Sequence, residues 1–449
     1  MVMGCTMVRV EPKILKGFRD YLPELEGPRQ RMLTQVKGAF ERFGYGPLQT
    51  PALEYSEILV GKYGDEGDKL LYRFMDNGER DVALRYDLTV PLARVVGMYS
   101  GSLVMPFRRY QIAPVWRAEK PAKGRFREFM QCDADVVGEP SVRADAEIMM
   151  VGLSVLASLA VPGYVMRVND RRILDGVLDV VGVPAAQRIV VLRSVDKLPK
   201  VGADAVRKEI IETVGLADTA IDKLFSLLFR EVKGDADLVT LGSELAESAV
   251  AQAGIAGLRE LLSIIEVGWG SEHGGQVAVD LTIARGLDYY TSTIYETFLV
   301  GHESYGSVMS GGRYDGLMDM FSGKPTPAVG ISLGVDRLLS ALTDLGLVPA
   351  KKTSADVFFC LFDAADYPAI TRVANQLRAL GVGVEVALAG GKLGKQFQLA
   401  ARKGYRWALL QGSDERAKGD VVLKDLTAGT QEVLSLADAA SWVGRLEAE

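Results

Sequence analysis

The sequence predicts an α+β protein of more than one domain, and three features carry that prediction. Two β-type runs, 109–115 and 128–137, flank a loop rich in Lys, Pro and Gly and read as a hairpin with a long basic loop. Residues from about 172 to 265 are mainly helical and hold no obvious catalytic cluster. From Ala355 onward, strand-like VFFCLF, VEVAL and WALLQ alternate with helical segments over 370–380 and 393–403, as in a small α/β module. With 449 residues, 48% hydrophobic and 24% charged, the chain has a globular balance and is too long for one ordinary core.

The elements follow in order. Between Pro28 and Phe43, apolar Met32, Leu33, Val36, Phe40 and Phe43 recur at helical spacing, giving an amphipathic helix closed by Gly44. Asp87 can cap a helix whose apolar face is Leu88, Leu92, Val95, Val96 and Tyr99, which places Asp87 and Thr89 at a helix mouth. The charge-free run 148–166 has the length of a membrane span. Pro162-Gly163 interrupt it, Ser154 and Ser158 dilute it, and Arg143, Asp145 and Glu147 precede it, so a core helix followed by a turn is expected, with no membrane contact. Capping signals inside the helical stretch fall near Asp204 and Asp218. Strands resume at 277–283 and 293–300, and a last strand at 328–332 runs into a helix from Leu333. A linker at about 347–354, marked by Pro349 and paired lysines, introduces the final module.

A formal charge of −6 gives no global attraction to nucleic acid, so any such binding must come from local basic patches. Cys5, Cys132 and Cys360 lie far apart, without metal-ligand spacing or a disulfide framework, which fits a reducing cytoplasm. The first ten residues show no targeting pattern. With only His273 and His302 present, a His-ligated metal centre has no material, and no protein-only metal site is expected. GGKLGK at Gly390 fails as a phosphate loop, because Ala389 stands where its first glycine is needed and Gln396 replaces the hydroxyl residue.

Three segments carry candidate chemistry. The hairpin region 107–127 holds Arg108, Arg109, Arg117, Lys120, Lys123, Arg125 and Arg127 against Glu119, with Pro114, Trp116 and Phe126 interleaved, and favours a phosphate-rich ligand over a merely solvated basic face. In TIARGLDYYTSTIYE, Arg285 stands between an apolar run and a Tyr-Tyr pair; a salt bridge to Asp288 and a fork for an anionic reacting group account for it equally well. In SGGRYDGL the paired glycines suit either close approach to a ligand or a plain turn, and PAVGISLGVDRLL places Arg337 on a helix after a glycine-bearing strand.

Taken jointly, GFRDYLPE, RYDLTVPLAR, VWRAEKPAKGRFREFMQCDADVVG, VNDRRILDG, RGLDYYTSTIYE, SGGRYDGL and VGISLGVDRLL resemble class II aminoacyl-tRNA synthetases, and within them the histidyl-tRNA synthetase family, along the whole chain. RGLDYY is the most specific of these stretches. The resemblance implies a class II antiparallel sheet flanked by helices over 1–171 and 266–346, a helical insertion over 172–265 and an anticodon-binding α/β domain over 355–449. It implies a cytoplasmic homodimer that takes L-histidine, ATP with Mg2+, and histidine tRNA as partners, with no membrane and no DNA. A second function class, a non-catalytic regulatory paralogue from histidine biosynthesis, resembles only the core and lacks the C-terminal module that this chain keeps.

By match to the family, Arg117 and Arg285 would grip the α-phosphate and the substrate carboxylate, and Arg337 the γ-phosphate. Glu119 and Phe129 would contact and stack adenine, with Arg125 also in the ATP site. Asp87, Thr89 and Gln131 would hold the histidine ammonium, Asp135 and Tyr290 its imidazole, while Tyr289 and Tyr314 wall the pocket. In the C-terminal module, Lys392, Lys395, Arg402 and Lys403, followed by Arg406, form a stretch without acids; against a solvated helix face, RNA contact is expected there.

Overall fold

The computed structural model describes residues 10–62, 67–122, 124–270, 276–284, 290–348 and 353–447. Two compact units emerge, one of Met32–Leu347 with the residues up to Arg19, the other of Val348–Glu449 with Asp20–Arg31.

The strands of the first unit are β1 (Gly46–Pro47), β2 (Leu53–Tyr55), β3 (Arg73–Met75), β4 (Asp81–Leu84), β5 (Phe107–Trp116), β6 (Glu128–Val137), β7 (Tyr164–Asp170), β8 (Gln276–Val279), β9 (Thr293–Leu299), β10 (Met309–Arg313) and β11 (Ala328–Gly334). Eight of them form one sheet in the order β1-β5-β6-β11-β10-β9-β7-β8, and β2-β4-β3 form a separate small sheet. The large sheet is antiparallel except where β1 joins β5 and β8 joins β7. Expected and observed strands agree for β6, and β5 is longer by a residue or two at each end.

Helices α1 (Pro23–Arg42), α2 (Ser56–Leu59), α3 (Thr89–Tyr99) and α4 (Val142–Ser158) precede β7. α1 starts ahead of the expected Pro28, because Glu24 and Glu26 make a favourable acidic first turn that tolerates the internal proline. α4 buries ten residues and gives way at Pro162-Gly163, where Gly163 has φ of +62°, to β7. Among the described residues no helix is long and apolar enough to cross a membrane.

The stretch after β7 is helical as expected: α5 (Arg171–Val181), α6 (Arg188–Val195), α7 (Leu198–Val201), α8 (Ala203–Val214), α9 (Asp218–Leu228), α10 (Asp235–Glu244) and α11 (Ala249–Trp269). The capping expectation needs correcting. Asp204 and Asp218 sit inside the first turns of α8 and α9 without a side-chain cap bond. The side-chain caps are instead Asp170, accepting from Arg172 N at 2.9 Å, and Ser248, accepting from Ala251 N at 3.3 Å. β8 also stops at Val279 rather than 283, since the Asp280 carboxylate accepts from the Thr282 amide and hydroxyl and turns the chain. After β9, helices α12 (Asp315–Ser322) and α13 (Val335–Asp344) follow β10 and β11.

The second unit alternates β12 (Val357–Phe359), α14 (Tyr367–Ala379), β13 (Val384–Val386), α15 (Leu393–Lys403) and β14 (Trp407–Leu410), with β13-β12-β14 parallel. Two antiparallel strands, β15 (Asp420–Asp425) and β16 (Gln431–Ser435), complete its sheet. These two were not foreseen; β16 is short and largely exposed and gives little apolar alternation, whereas β15 does alternate, with Val421, Leu423 and Asp425 buried. Near the failed phosphate loop, Gln396 is buried and bonds Leu361 N at 2.8 Å, Leu361 O at 2.6 Å and Gly391 O at 3.0 Å, so its side chain ties the loop to the sheet.

Candidate active site

The site grows from the two-residue period of β6, which sets Gln131, Asp133 and Asp135 on one face. Opposite them on β11 stand Gly334, Ser332 and Gly330. Gly330 has a steric reason: a Cβ there would lie 1.9 Å from Asp135 Oδ1. The glycine pair of SGGR is explained likewise, since a Cβ on Gly311 would fall 2.1 Å from Gly330 O and one on Gly312 2.5 Å from Thr293 O. Close strand packing, and not a ligand or a plain turn, requires these two glycines.

Asp135 is buried beside an equally buried Arg109, whose Nη2 is 2.7 Å from Asp135 Oδ2, and the Tyr314 hydroxyl donates to Asp135 Oδ1. Burial pushes this carboxyl up while Arg109 pulls it down. Tyr314, expected only as a wall, is thus a direct partner of Asp135. Asp133 is buried too, and loss of hydration raises it to about 7, against the pull of Arg109 and with Asp135 and Asp87 pushing the same way as burial. Its Oδ1 accepts from Ser332 Oγ at 2.5 Å and from Gln131 Nε2 at 3.4 Å.

Asp87 lies just before α3, where its Oδ1 accepts from Val90 N at 3.1 Å as expected of a residue at the helix mouth, and Thr89 is the first residue of that helix. Arg117 leaves the end of β5, donates Nε to Tyr86 O at 3.1 Å, and sets its guanidinium carbon 4.3 Å from the Tyr86 ring centroid and 5.1 Å from that of Phe129. No described carboxylate pairs with it, so its charge stays available for a ligand. Three of the other hairpin cations are paired with acids: Arg108 with Glu147, Arg109 with Asp135, and Arg125, whose Nε lies 2.6 Å from Glu119 Oε2, while Arg127 donates to the backbone oxygens of Glu119 and Lys16. The expected anion-seeking run is therefore thinned by Glu119 and Asp135 of the hairpin itself and by Glu147 of α4. Arg337, in the first turn of α13, donates to Ser307 O at 2.5 Å.

One cavity of about 480 Å³ is lined by Asp87, Thr89, Arg117, Glu119, Arg125, Phe129, Gln131, Asp135, Tyr290, Tyr314 and Arg337 together. Arg285 and Tyr289 lie outside the described residues. The chain approaching them is held where Asn169 Nδ2 donates to Leu281 O at 3.2 Å and Ile283 O at 3.0 Å, and Ile283 lines the cavity. Sequence reasoning missed Asp133, Ser332, Glu296 and Asp336, which also line it. Asp133 was findable, since the alternation that presents Gln131 and Asp135 also presents the residue between them. Asp336 was not: it accepts from Met130 N at 2.8 Å and Arg19 Nη2 at 3.1 Å, partners more than 200 positions away.

In the second unit, Lys392, Lys395 and Arg402 are exposed on or beside α15. Lys403, though also exposed, pairs with Glu385 of β13, and Arg406 Nε lies 3.1 Å from Asp425 of β15. The stretch that is free of acids in sequence is not so in space.

An antiparallel sheet carrying such a cavity between a long hairpin and the helix after its last strand, with an appended α/β unit, defines a class II aminoacyl-tRNA synthetase. Within that class the chain belongs to the histidyl-tRNA synthetase family: the family model described as histidyl-tRNA synthetase matches residues 17–338, and that of the anticodon binding domain matches 347–446. A histidine–tRNA ligase of Rhodopirellula baltica is 41% identical over 94% of this chain and 96% of its own, and one of Wolinella succinogenes is 40% identical over 96% and 98%. Among solved structures, histidyl-tRNA synthetase from Nostoc superposes with a TM-score of 0.87 at 32% identity, covering 97% of this chain and all of that one. An ATP phosphoribosyltransferase regulatory subunit/histidyl-tRNA synthetase from Bacillus halodurans, at 23% identity and a TM-score of 0.73, shares the fold.

Proposed function

We propose that the chain activates L-histidine with ATP and transfers it to the 3′ end of histidine tRNA. The observation that carries this is the gathering in one cavity of the acids and hydroxyls suited to histidine with the arginines suited to phosphates. In the first step a histidine carboxylate oxygen attacks the α-phosphorus, the bond to the β-phosphate breaks, and pyrophosphate leaves with the electron pair. In the second, a ribose hydroxyl of the tRNA attacks the acyl carbon and AMP leaves. The carboxylate needs no base, so catalysis rests on placing cations where charge accumulates.

Arg117 and Arg285 hold the α-phosphate and carboxylate, and Arg337 the γ-phosphate. Glu119, Arg125 and Phe129 form the adenine and phosphate surroundings. Asp87, Thr89 and Gln131 take the ammonium; Asp135, tuned by Arg109 and Tyr314, takes an imidazole N–H together with Tyr290, and the family match makes Tyr289 a wall of the pocket with Tyr314. A site that satisfies both ring nitrogens rejects amino acids lacking them by about 10⁴ or more. Mg2+ bound with ATP would be held chiefly by phosphate oxygens, with one or two carboxylates at most, such as Glu119 or Glu296 of the cavity lining, and would offset charge on the departing pyrophosphate.

Residues 172–265 act as an inserted helical domain, and the C-terminal unit reads the anticodon through exposed Lys392, Lys395 and Arg402, with Lys403 less committed because of Glu385. A homodimer in the cytoplasm is the working form, the dimer being in keeping with exposed apolar side chains on β2, β3 and α3. A regulatory, non-catalytic role is disfavoured by the presence of both the anticodon domain and the cavity arginines. The test is amino-acid-dependent ATP/pyrophosphate exchange, expected with histidine alone among the standard amino acids. Exchange driven by proline, threonine or glycine would reject the assignment.

A further inference from the structure

Gln131 has an unusual hydrogen-bond balance. Its Nε2 donates to Ser332 Oγ at 2.8 Å and, more weakly, to Asp133 Oδ1 at 3.4 Å, while Ser332 Oγ donates in turn to Asp133 Oδ1 at 2.5 Å. Its Oε1 is buried and has no partner among the described residues, although Gln131, Ser332 and Asp133 all line the cavity. A buried amide oxygen left bare is costly unless a ligand donor satisfies it.

The chemistry fixes which way this amide faces. With the cationic ammonium nearby favouring its charged form, Asp133 only accepts, so it holds the Ser332 proton; Ser332 Oγ, its proton committed, can only accept from Gln131. The amide NH₂ must then face Ser332, and Oε1 must face away from it. Without Asp133, the Ser332 hydroxyl could donate to Oε1 instead, and the amide could turn its NH₂ toward a cationic ligand, which would repel it.

We propose that Asp133, acting through Ser332, is the positioning residue that locks Gln131 with its carbonyl oxygen toward the α-ammonium of the amino acid substrate. The relay deepens, and rests on, the reading of Gln131 as an ammonium contact. It assigns a selecting role to Ser332, supplied by β11, and to Asp133, which need not touch the substrate.

The test uses the full chain and compares two ligands, histidine and its des-amino analogue 3-(imidazol-4-yl)propanoate. In Asp133→Ala and in Ser332→Ala, the KM for histidine in pyrophosphate exchange is expected to rise on the order of tenfold or more, as for loss of a hydrogen bond to a charged group. Maximal exchange rate and inhibition by the des-amino analogue should stay within about threefold. Asp133→Asn, which keeps an oxygen able to accept the Ser332 proton, should recover most of the histidine affinity. Equal loss of histidine and analogue in the alanine variants would overturn the proposal, as a general disturbance of the pocket. So would an unaffected Ser332→Ala beside a defective Asp133→Ala, which would make Asp133 a direct contact. If the parent protein itself shows no histidine-dependent exchange, the functional reading fails; if it does and the alanine variants match it, only the relay fails.

Discussion

Asp133 stands on a strand between two other polar side chains, and its environment makes its charge expensive. Arg109 on β5 is the cation beside it, and that cation is shared with Asp135, while Asp87 adds a further negative charge. The folded-state value near 7 is above the unfolded value of about 3.9. A raised value means that stability is fully present below the unfolded pKa and lost as pH rises through the folded one. Without ligand, the parent should therefore lose thermal stability between pH 5 and pH 8 relative to Asp133→Asn, which has no proton to release. Melting temperatures of both at the two pH values check this, and a gap that does not change with pH would refute it. A cationic substrate ammonium nearby would relieve the same cost, so histidine should stabilise the parent more at pH 8 than at pH 5.

At the scale of elements, the site depends on how β6 and β11 are matched. The ladder puts Gly330 against Asp135 and Ser332 against Asp133, and a slip of one residue would put side chains where Asp135 needs space. Gly330→Ala places a methyl group 1.9 Å from Asp135 Oδ1, so the carboxylate must leave Arg109 and Tyr314 or the strands must part. Overpacking of this kind costs about 1–3 kcal/mol. Chemical denaturation should show that loss, and histidine binding by calorimetry should fall at least tenfold; full binding with unchanged stability would show that the strand pair yields more easily than its geometry implies. The helix following β11 is tied in as well, since Asp336 receives Met130 N of β6. That bond sets Arg337 at a fixed place relative to the hairpin.

For the whole molecule, the exposed apolar side chains outside the cavity matter most. Leu53, Tyr55, Phe74, Met75, Met98 and Tyr99 are each between 45% and 64% exposed, and Leu53, Tyr55 and Met98 share one surface hollow. Grouped exposure of this kind is costly in water, and it is the surface on which the proposed homodimer would be built. Light scattering after size exclusion should give twice the chain mass, and Tyr55→Asp with Met98→Asp should give a folded monomer by circular dichroism. A parent that runs as a monomer at micromolar concentration would remove the homodimer from the proposal.

Much of this protein was legible in the chain itself, because the information was local. The hairpin strands, the buried helix behind Ile148, the helical stretch and the alternating C-terminal unit follow from periodicity and turn residues, which act between near neighbours. The candidate residues of the cavity, though not Asp133, Ser332, Glu296 or Asp336, were recoverable for a different reason: their motifs are long and specific, and those that are described line one cavity. What only the tertiary structure decided concerns partners distant in sequence. It withdrew Arg108, Arg109, Lys403 and Arg406 from the pool of free cations, gave Tyr314 to Asp135, explained the paired glycines by neighbouring strands, and brought Ser332 to Asp133. The physical reason is that charge and hydrogen bonding act through space over a few ångströms, and the strand pairing that sets those distances joins residues up to about two hundred positions apart.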